Sequence, residues 1–153
     1  MSNQPFSKSF EHYKIPCYTK HCGNYNENKY EIVRQYRKAA EKLSLEVPAG
    51  KIDNGEDPLE TARRELKEET GLQAEKLLYL NGLYPSFAIS DEIIHLFLAT
   101  GLTEGESNLD EGEFLAVEKV PVKALREMIL DGTIQDMKTI AAVFYAEKYM
   151  KEK

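Results

Sequence analysis

The chain has 153 residues, 42% apolar and 30% charged, a composition ordinary for a single globular domain large enough to bury its own core. Twenty Lys and Arg against 26 Asp and Glu leave a net charge of -6. That argues against a general nucleic-acid binder but not against a phosphorylated substrate, because a divalent cation can reverse the local sign. The mean hydropathy of -0.51, with no apolar run near ~18 residues, leaves no candidate for a membrane-spanning helix. Met1–Phe10 lacks the apolar stretch of a signal peptide, so a cytoplasmic location and no membrane partner are expected.

Residues 1–29 are polar, with no clear period, and read as an irregular N-terminal segment ahead of a domain at 30–153. Cys17 and Cys22 are the only cysteines. With His12 and His21 nearby a zinc site is conceivable, but Cys-x4-Cys without a second pair suits tetrahedral zinc poorly, and free thiols are expected. Tyr30–Tyr36 is β-prone, and Leu43–Val47 alternates apolar and polar residues as a half-buried strand does. Pro48-Ala49-Gly50 closes that strand.

The clearest helix is expected over 58–70. Asp57 is a good N-cap, Pro58 sits where its missing N–H does no harm, and Glu60 completes a pattern like a capping box. Gly71 stands where a left-handed stop is usual. Leu59, Ala62 and Leu66 form its apolar stripe. Strands are expected at Leu77–Tyr84, Ile93–Thr100 and Phe114–Val117, with Pro85–Glu92 as a loop. Two helices follow, Pro121–Leu130 and Asp136–Met150, broken apart by Asp131-Gly132. Strands and helices mix without strict alternation, giving an α/β layered class.

Within the first helix Glu65, Glu68 and Glu69 stand at i, i+3 and i+4, on one face. Like charges so placed destabilise a helix by a few tenths of a kcal/mol per pair, so something should compensate. One reading is a solvated acidic face neutralised by Arg63, Arg64 or Lys67. The other is a hard divalent cation such as Mg²⁺, which takes oxygen ligands and keeps positions open for water and phosphate.

The string Gly50–Leu72 reads GKIDNGEDPLETARRELKEETGL. It fits Gly-x5-Glu-x7-Arg-Glu-aliphatic-x-Glu-Glu-x-Gly-aliphatic through Gly50, Glu56, Arg64, Glu65, Leu66, Glu68, Glu69, Gly71 and Leu72. Seven fixed identities at ~6% usage each arise by chance at about 10⁻⁹ per start position, which decides against a merely solvated face.

The chain resembles the Nudix hydrolases from about Lys29 to Met150. The resemblance implies an α/β/α sandwich around a mixed sheet, and hydrolysis of a nucleoside diphosphate linked to another group with Mg²⁺ or Mn²⁺. It implies Glu65, Glu69 and the carbonyl of Ala49 as metal ligands, with Glu68 as a ligand or water partner. Arg64 would orient a glutamate of the string, and Glu56 would steady its loop. The flanks Val33–Arg37 and Leu45–Asp53 resemble the ADP-ribose pyrophosphatase branch, which implies Arg37 and Glu46 in substrate binding, Arg37 on phosphate through paired hydrogen bonds. The same branch implies a general base in the acidic loop Asp110–Glu113, with Glu111 first and Glu113 second. ADP-ribose would yield AMP and ribose 5-phosphate. The partner is then a small nucleotide rather than nucleic acid, and the resemblance leaves room for a homodimer.

Two departures stand out. Phe87-Ala88 occupies the place of the branch's usual Pro-Gly pair, sixteen residues past Gly71, which implies a reshaped loop and relaxed preference among sugar diphosphates. Residues 14–29 lack apolar alternation, so the sheet is expected to miss a strand or to hold a non-standard one. The alternatives are another nucleotide substrate for the same chemistry, or a non-hydrolytic metabolite-binding domain; such domains usually lose glutamates from the string, and none is missing here.

Overall fold

Between Ile93 and Ala99 every residue except His95 is apolar, a run with no polar face to turn to water. In the computed structural model, which describes residues 11–14, 17–19, 28–53, 55–105 and 116–151, this run lies inside the sheet. The described elements are β1 (Glu11–Lys14), β2 (Cys17–Thr19), β3 (Lys29–Arg37), β4 (Lys42–Glu46), β5 (Ala49–Lys51), α1 (Pro58–Thr70), β6 (Leu72–Leu83), β7 (Ile93–Glu104), β8 (Ala116–Pro121), α2 (Val122–Leu130) and α3 (Met137–Lys151).

Over Ile94–Ala99, β7 is covered on both faces. Ile94, Leu96 and Leu98 join Val122 and Leu125 of α2 and Ala142, Val143 and Ala146 of α3 in one core. Phe97 and Ala99, pointing the other way, join Ala62 and Leu66 of α1 and Leu72 in a second. The molecule is therefore an α/β/α sandwich, with α1 on one side and α2 and α3 on the other. Arg126 and Glu147 clamp α2 to α3 with two bonds of 2.7 Å.

The sheet is mixed. β6 runs antiparallel to β7, and β1 and β2 run parallel to it. β3 pairs antiparallel with β2, β4 and β8, and β5 with β1. The N-terminal segment read as irregular thus supplies two strands, and the strand expected to be missing or non-standard is made in two pieces. They are four and three residues long, too short for alternation to be legible; their pairing follows from the hydrogen-bonding edge that β7 offers. β6 begins at Leu72, five residues ahead of the expected Leu77, because Gly71 turns the chain straight from helix to strand. β8 begins at Ala116, so Phe114 of the expected strand lies outside the described residues.

One residue of β6 is supernumerary. Tyr79 faces Phe97 and Asn81 faces Leu96, so Leu80 has no partner on β7. This is a β-bulge, and it moves every later side chain to the opposite face. Leu78, opposite Leu98, and Leu83, opposite Ile94, consequently both pack on the α2–α3 core. Asn81 reaches the Tyr145 hydroxyl of α3 at 2.8 Å.

Helix α1 spans Pro58–Thr70, as its caps predict. The Asp57 carboxylate accepts from the Leu59 N–H at 2.8 Å and the Glu60 N–H at 3.4 Å. Gly71 takes φ 70° and its N–H returns to the Lys67 carbonyl at 2.8 Å. Ala62, Leu66 and Glu69 fall on the buried face, so the apolar stripe that seats α1 also carries a carboxylate inward. Replacing Asp57 by Ala should cost about 1 kcal/mol of stability, the usual value of an N-cap, read as a lower denaturant midpoint at unchanged m.

Candidate active site

Alternation along the β3–β4 pair puts Gln35 and Arg37 on the same face as Lys42, Ser44 and Glu46, since Arg37 faces Lys42 and Gln35 faces Ser44. These five residues line a cleft of about 720 Å³ together with Ala49 of β5, Glu65 and Glu69 of α1, and Asp136 and Lys138 at the start of α3.

Arg37 and Glu46 form a two-pronged pair. Nε and one Nη of Arg37 donate to the two Glu46 oxygens at 2.7 and 2.8 Å. The Glu46 side chain is only 3% exposed and that of Arg37 is 45% exposed. The buried carboxylate therefore fixes the plane of a guanidinium that lines the cleft. The hydrogen bonds to Glu46 hold Arg37 above its ordinary range, against the pull of burial.

Arg64 is the hub of the glutamates. It donates to the two Glu56 oxygens at 3.2 and 3.0 Å, and through its other Nη to Glu65 and Glu68 at 2.9 Å each. Of the three basic residues that could relieve like-charge repulsion along α1, Arg64 does so. Its hydrogen bond holds the Glu56 carboxyl well below the ordinary 4.5, at about 2, with the Thr61 hydroxyl adding to the effect. Glu65 lines the cleft, whereas Glu68 and Arg64 are not on its lining.

Glu69 is 8% exposed, and its Oε2 accepts the Ala49 N–H at 3.1 Å. A carboxylate so buried is tolerable only when hydrogen-bonded or otherwise charge-compensated. This bond ties α1 to β5 and puts Glu69 beside the Ala49 peptide. Ala49, Glu65, Glu68 and Glu69 offer oxygen donors only, the donor chemistry that hard divalent cations take. Among the described residues no three His, Cys, Asp or Glu side chains stand together in ligating geometry. A cation would have to compete with Arg64 for Glu65 and Glu68.

Glu111 and Glu113, the expected bases, lie outside the described residues, as do Cys22 and His21. Reasoning from sequence missed Lys42, Glu92, Gln135, Asp136 and Lys138 on the cleft wall. The one local signal was at Asp136, whose carboxylate caps α3 by accepting the Thr139 N–H at 2.9 Å.

A second pocket of about 310 Å³ adjoins the cleft through Ile94 and Lys138, and is lined by Leu83, Tyr84, Phe87, Leu96 and Met137 among others. Phe87, one of the pair standing in place of Pro-Gly, stacks on Tyr84 with centroids 4.5 Å apart. The two rings thus make an aromatic wall on this pocket.

The sequence pattern of the NUDIX domain matches residues 24–143. The chain belongs to the Nudix family. A Bacillus methanolicus protein named methanol dehydrogenase activator is 44% identical over 124 residues, covering 80% of this chain and 67% of its own. A Bacillus subtilis ADP-ribose pyrophosphatase is 40% identical with the same coverage. The chain thus spans about two thirds of the length of these two relatives. A crystal structure of an ADP compounds hydrolase superposes with a TM-score of 0.82 at 24% identity, over 96% of this chain and 76% of that one, which establishes the shared fold. No helix among the described residues is long and apolar enough to cross a membrane.

Because the Glu56 carboxyl titrates lower in the folded state than in the unfolded one, its pairing stabilises the fold above pH 4.5, and that contribution is lost as pH falls towards about 2. Glu56→Gln should therefore be less stable than wild type near neutral pH, with the gap shrinking steadily below pH 4.5. Urea titrations of both proteins between pH 6 and pH 3 measure it, and a gap independent of pH would contradict the assignment.

Proposed function

We propose that the protein is a divalent-cation-dependent pyrophosphohydrolase of nucleoside diphosphate sugars, with ADP-ribose cleaved to AMP and ribose 5-phosphate as its leading reaction. The observation that carries this reading is the convergence of Arg37, Glu46, Ala49, Glu65 and Glu69, from four elements, on one cleft. The relative named for ADP-ribose hydrolysis supports the choice of substrate.

A Mg²⁺ or Mn²⁺ ion held by Ala49, Glu65, Glu68 and Glu69 would neutralise the diphosphate and lower the pKa of an attacking water. Arg37, kept flat by Glu46, donates to phosphate oxygens and meets the charge that develops on them. Glu111 takes the water proton. The water oxygen joins one phosphorus, and the bridging oxygen leaves with the other phosphate, which balances one water against two phosphomonoesters. Arg64 acts through the glutamates it holds. The Tyr84–Phe87 wall shapes the room for whatever the diphosphate carries.

Activity should vanish in EDTA and return with Mg²⁺ or Mn²⁺. Glu69→Gln keeps an acceptor for the Ala49 N–H but removes the charge, so the fold should survive while turnover collapses. Glu111→Gln should lower kcat by about 10²–10⁴-fold with little change in KM, the signature of a lost general base. The decisive measurement is kcat/KM for ADP-ribose, ADP-glucose, dinucleoside polyphosphates and nucleoside triphosphates. A triphosphate or dinucleoside polyphosphate leading ADP-ribose tenfold, about 1.4 kcal/mol of transition-state preference, would overturn the substrate assignment.

The relative named an activator of methanol dehydrogenase favours a second reading, in which the chain acts on a partner enzyme. Activation by contact alone would survive Glu69→Gln, whereas activation through hydrolysis would not.

A further inference from the structure

Pro48 sits between two amides that are tied to opposite layers of the sandwich. The Val47 N–H donates to Oγ1 of Thr139, on α3, at 3.1 Å. The Ala49 N–H donates to Oε2 of Glu69, on α1, at 3.1 Å. Pro48 itself has no N–H and a fixed φ. Three consecutive residues, Val47–Ala49, therefore form a strap pinned from both faces of the sheet, and its last residue carries the carbonyl assigned to the cation.

The pin on the α3 side has a direction. A hydroxyl has one proton and two lone pairs. Thr139 gives its proton to Oδ2 of Asp136 at 2.7 Å, and its own N–H reaches the same oxygen at 2.9 Å. With the proton committed there, Oγ1 presents lone pairs to the Val47 N–H. Thr139 and Val47 both have zero exposure, and Thr139 lies near Ala142 and Val143 of the apolar core. A valine would fill that volume as well, and burying a hydroxyl is unfavourable unless it is hydrogen-bonded. What threonine adds over valine is the relay from Val47 to Asp136.

We propose that Thr139, oriented by Asp136, is a positioning residue for the cation site: it fixes the Val47–Ala49 strap so that the Ala49 carbonyl and Glu69 act as a matched pair of oxygen donors. The inference rests on the cation-dependent reading given above. Thr139 touches neither cation nor substrate; it acts through the backbone.

The test is direct Mn²⁺ binding to the nucleotide-free protein by calorimetry, alongside the Mn²⁺ concentration for half-maximal ADP-ribose hydrolysis. Thr139→Val should weaken Mn²⁺ binding about tenfold, the low end of the ~10–100-fold effect of outer-shell partners. Thr139→Ser, which keeps the relay, should bind Mn²⁺ as wild type does. KM for ADP-ribose at saturating Mn²⁺ should stay unchanged in both. Leu125→Val, a core change in α2, supplies a destabilised protein with the strap intact and should leave Mn²⁺ binding alone; Thr139→Ala replaces Thr139→Val if the latter does not fold. Wild-type Mn²⁺ binding in Thr139→Val or its alanine substitute, no recovery in Thr139→Ser, or an equal loss in Leu125→Val would overturn the proposal. Wild-type protein that binds no Mn²⁺ and cleaves no ADP-ribose would overturn the hydrolase reading with it.

Discussion

Burial of β7 on both faces is the constraint from which the rest of the molecule is built. A strand with apolar residues pointing both ways must be covered twice, and α1 on one side with α2 and α3 on the other does so. Once Ala62 and Leu66 seat α1 against Phe97 and Ala99, Glu69 follows one turn on and is carried to β5. Once Ala142 and Val143 seat α3, its first turn arrives beside the other end of the same strap. The cleft is where these two consequences of one buried strand meet the β3–β4 face.

The charges in the cleft are arranged in two tiers. Buried acids act on neighbouring groups: Glu46 orients Arg37, and Asp136 orients Thr139 while its other oxygen takes the Lys138 ammonium at 2.6 Å. The more exposed Glu65 and Glu68 are held by Arg64. A like-charged helix face in water would gain little from any single ion pair. Here one guanidinium serves three carboxylates, which keeps a crowded acidic face compatible with a stable helix and holds its side chains in place.

Much of this was legible in the sequence because it is written locally. Asp57, Pro58 and Gly71 set the ends of α1 through contacts within four residues, and the i, i+3, i+4 spacing of the glutamates needs only helix geometry. The string from Gly50 to Leu72 therefore gave the site's acidic half. What stayed hidden is set by distant partners. β1 and β2 are strands because β7 offers an edge, and nothing in seven residues announces that. Glu46 entered only through the resemblance, as a substrate-binding residue; its two-pronged pairing with Arg37, nine residues away across a hairpin, is not written in its own neighbourhood. Thr139 reads as a neutral helix residue until Val47, 92 residues earlier, is placed against it.

The extra residue at Leu80 makes chain length a determinant of what the pocket beside the cleft looks like. Just upstream of it Leu78 packs on the α2–α3 core, five residues before Leu83 does the same. Leu83 enters the apolar pocket, and the Tyr84–Phe87 wall follows, with the phase that the bulge has set. A single-residue deletion there would restore an uninterrupted ladder and rotate the pocket wall out of place with no side chain substituted. Within such a lineage, diversification of the group beyond the diphosphate could run through insertions and deletions in β6 as readily as through changes of residue type, while the strands and helix that hold the glutamates stay untouched.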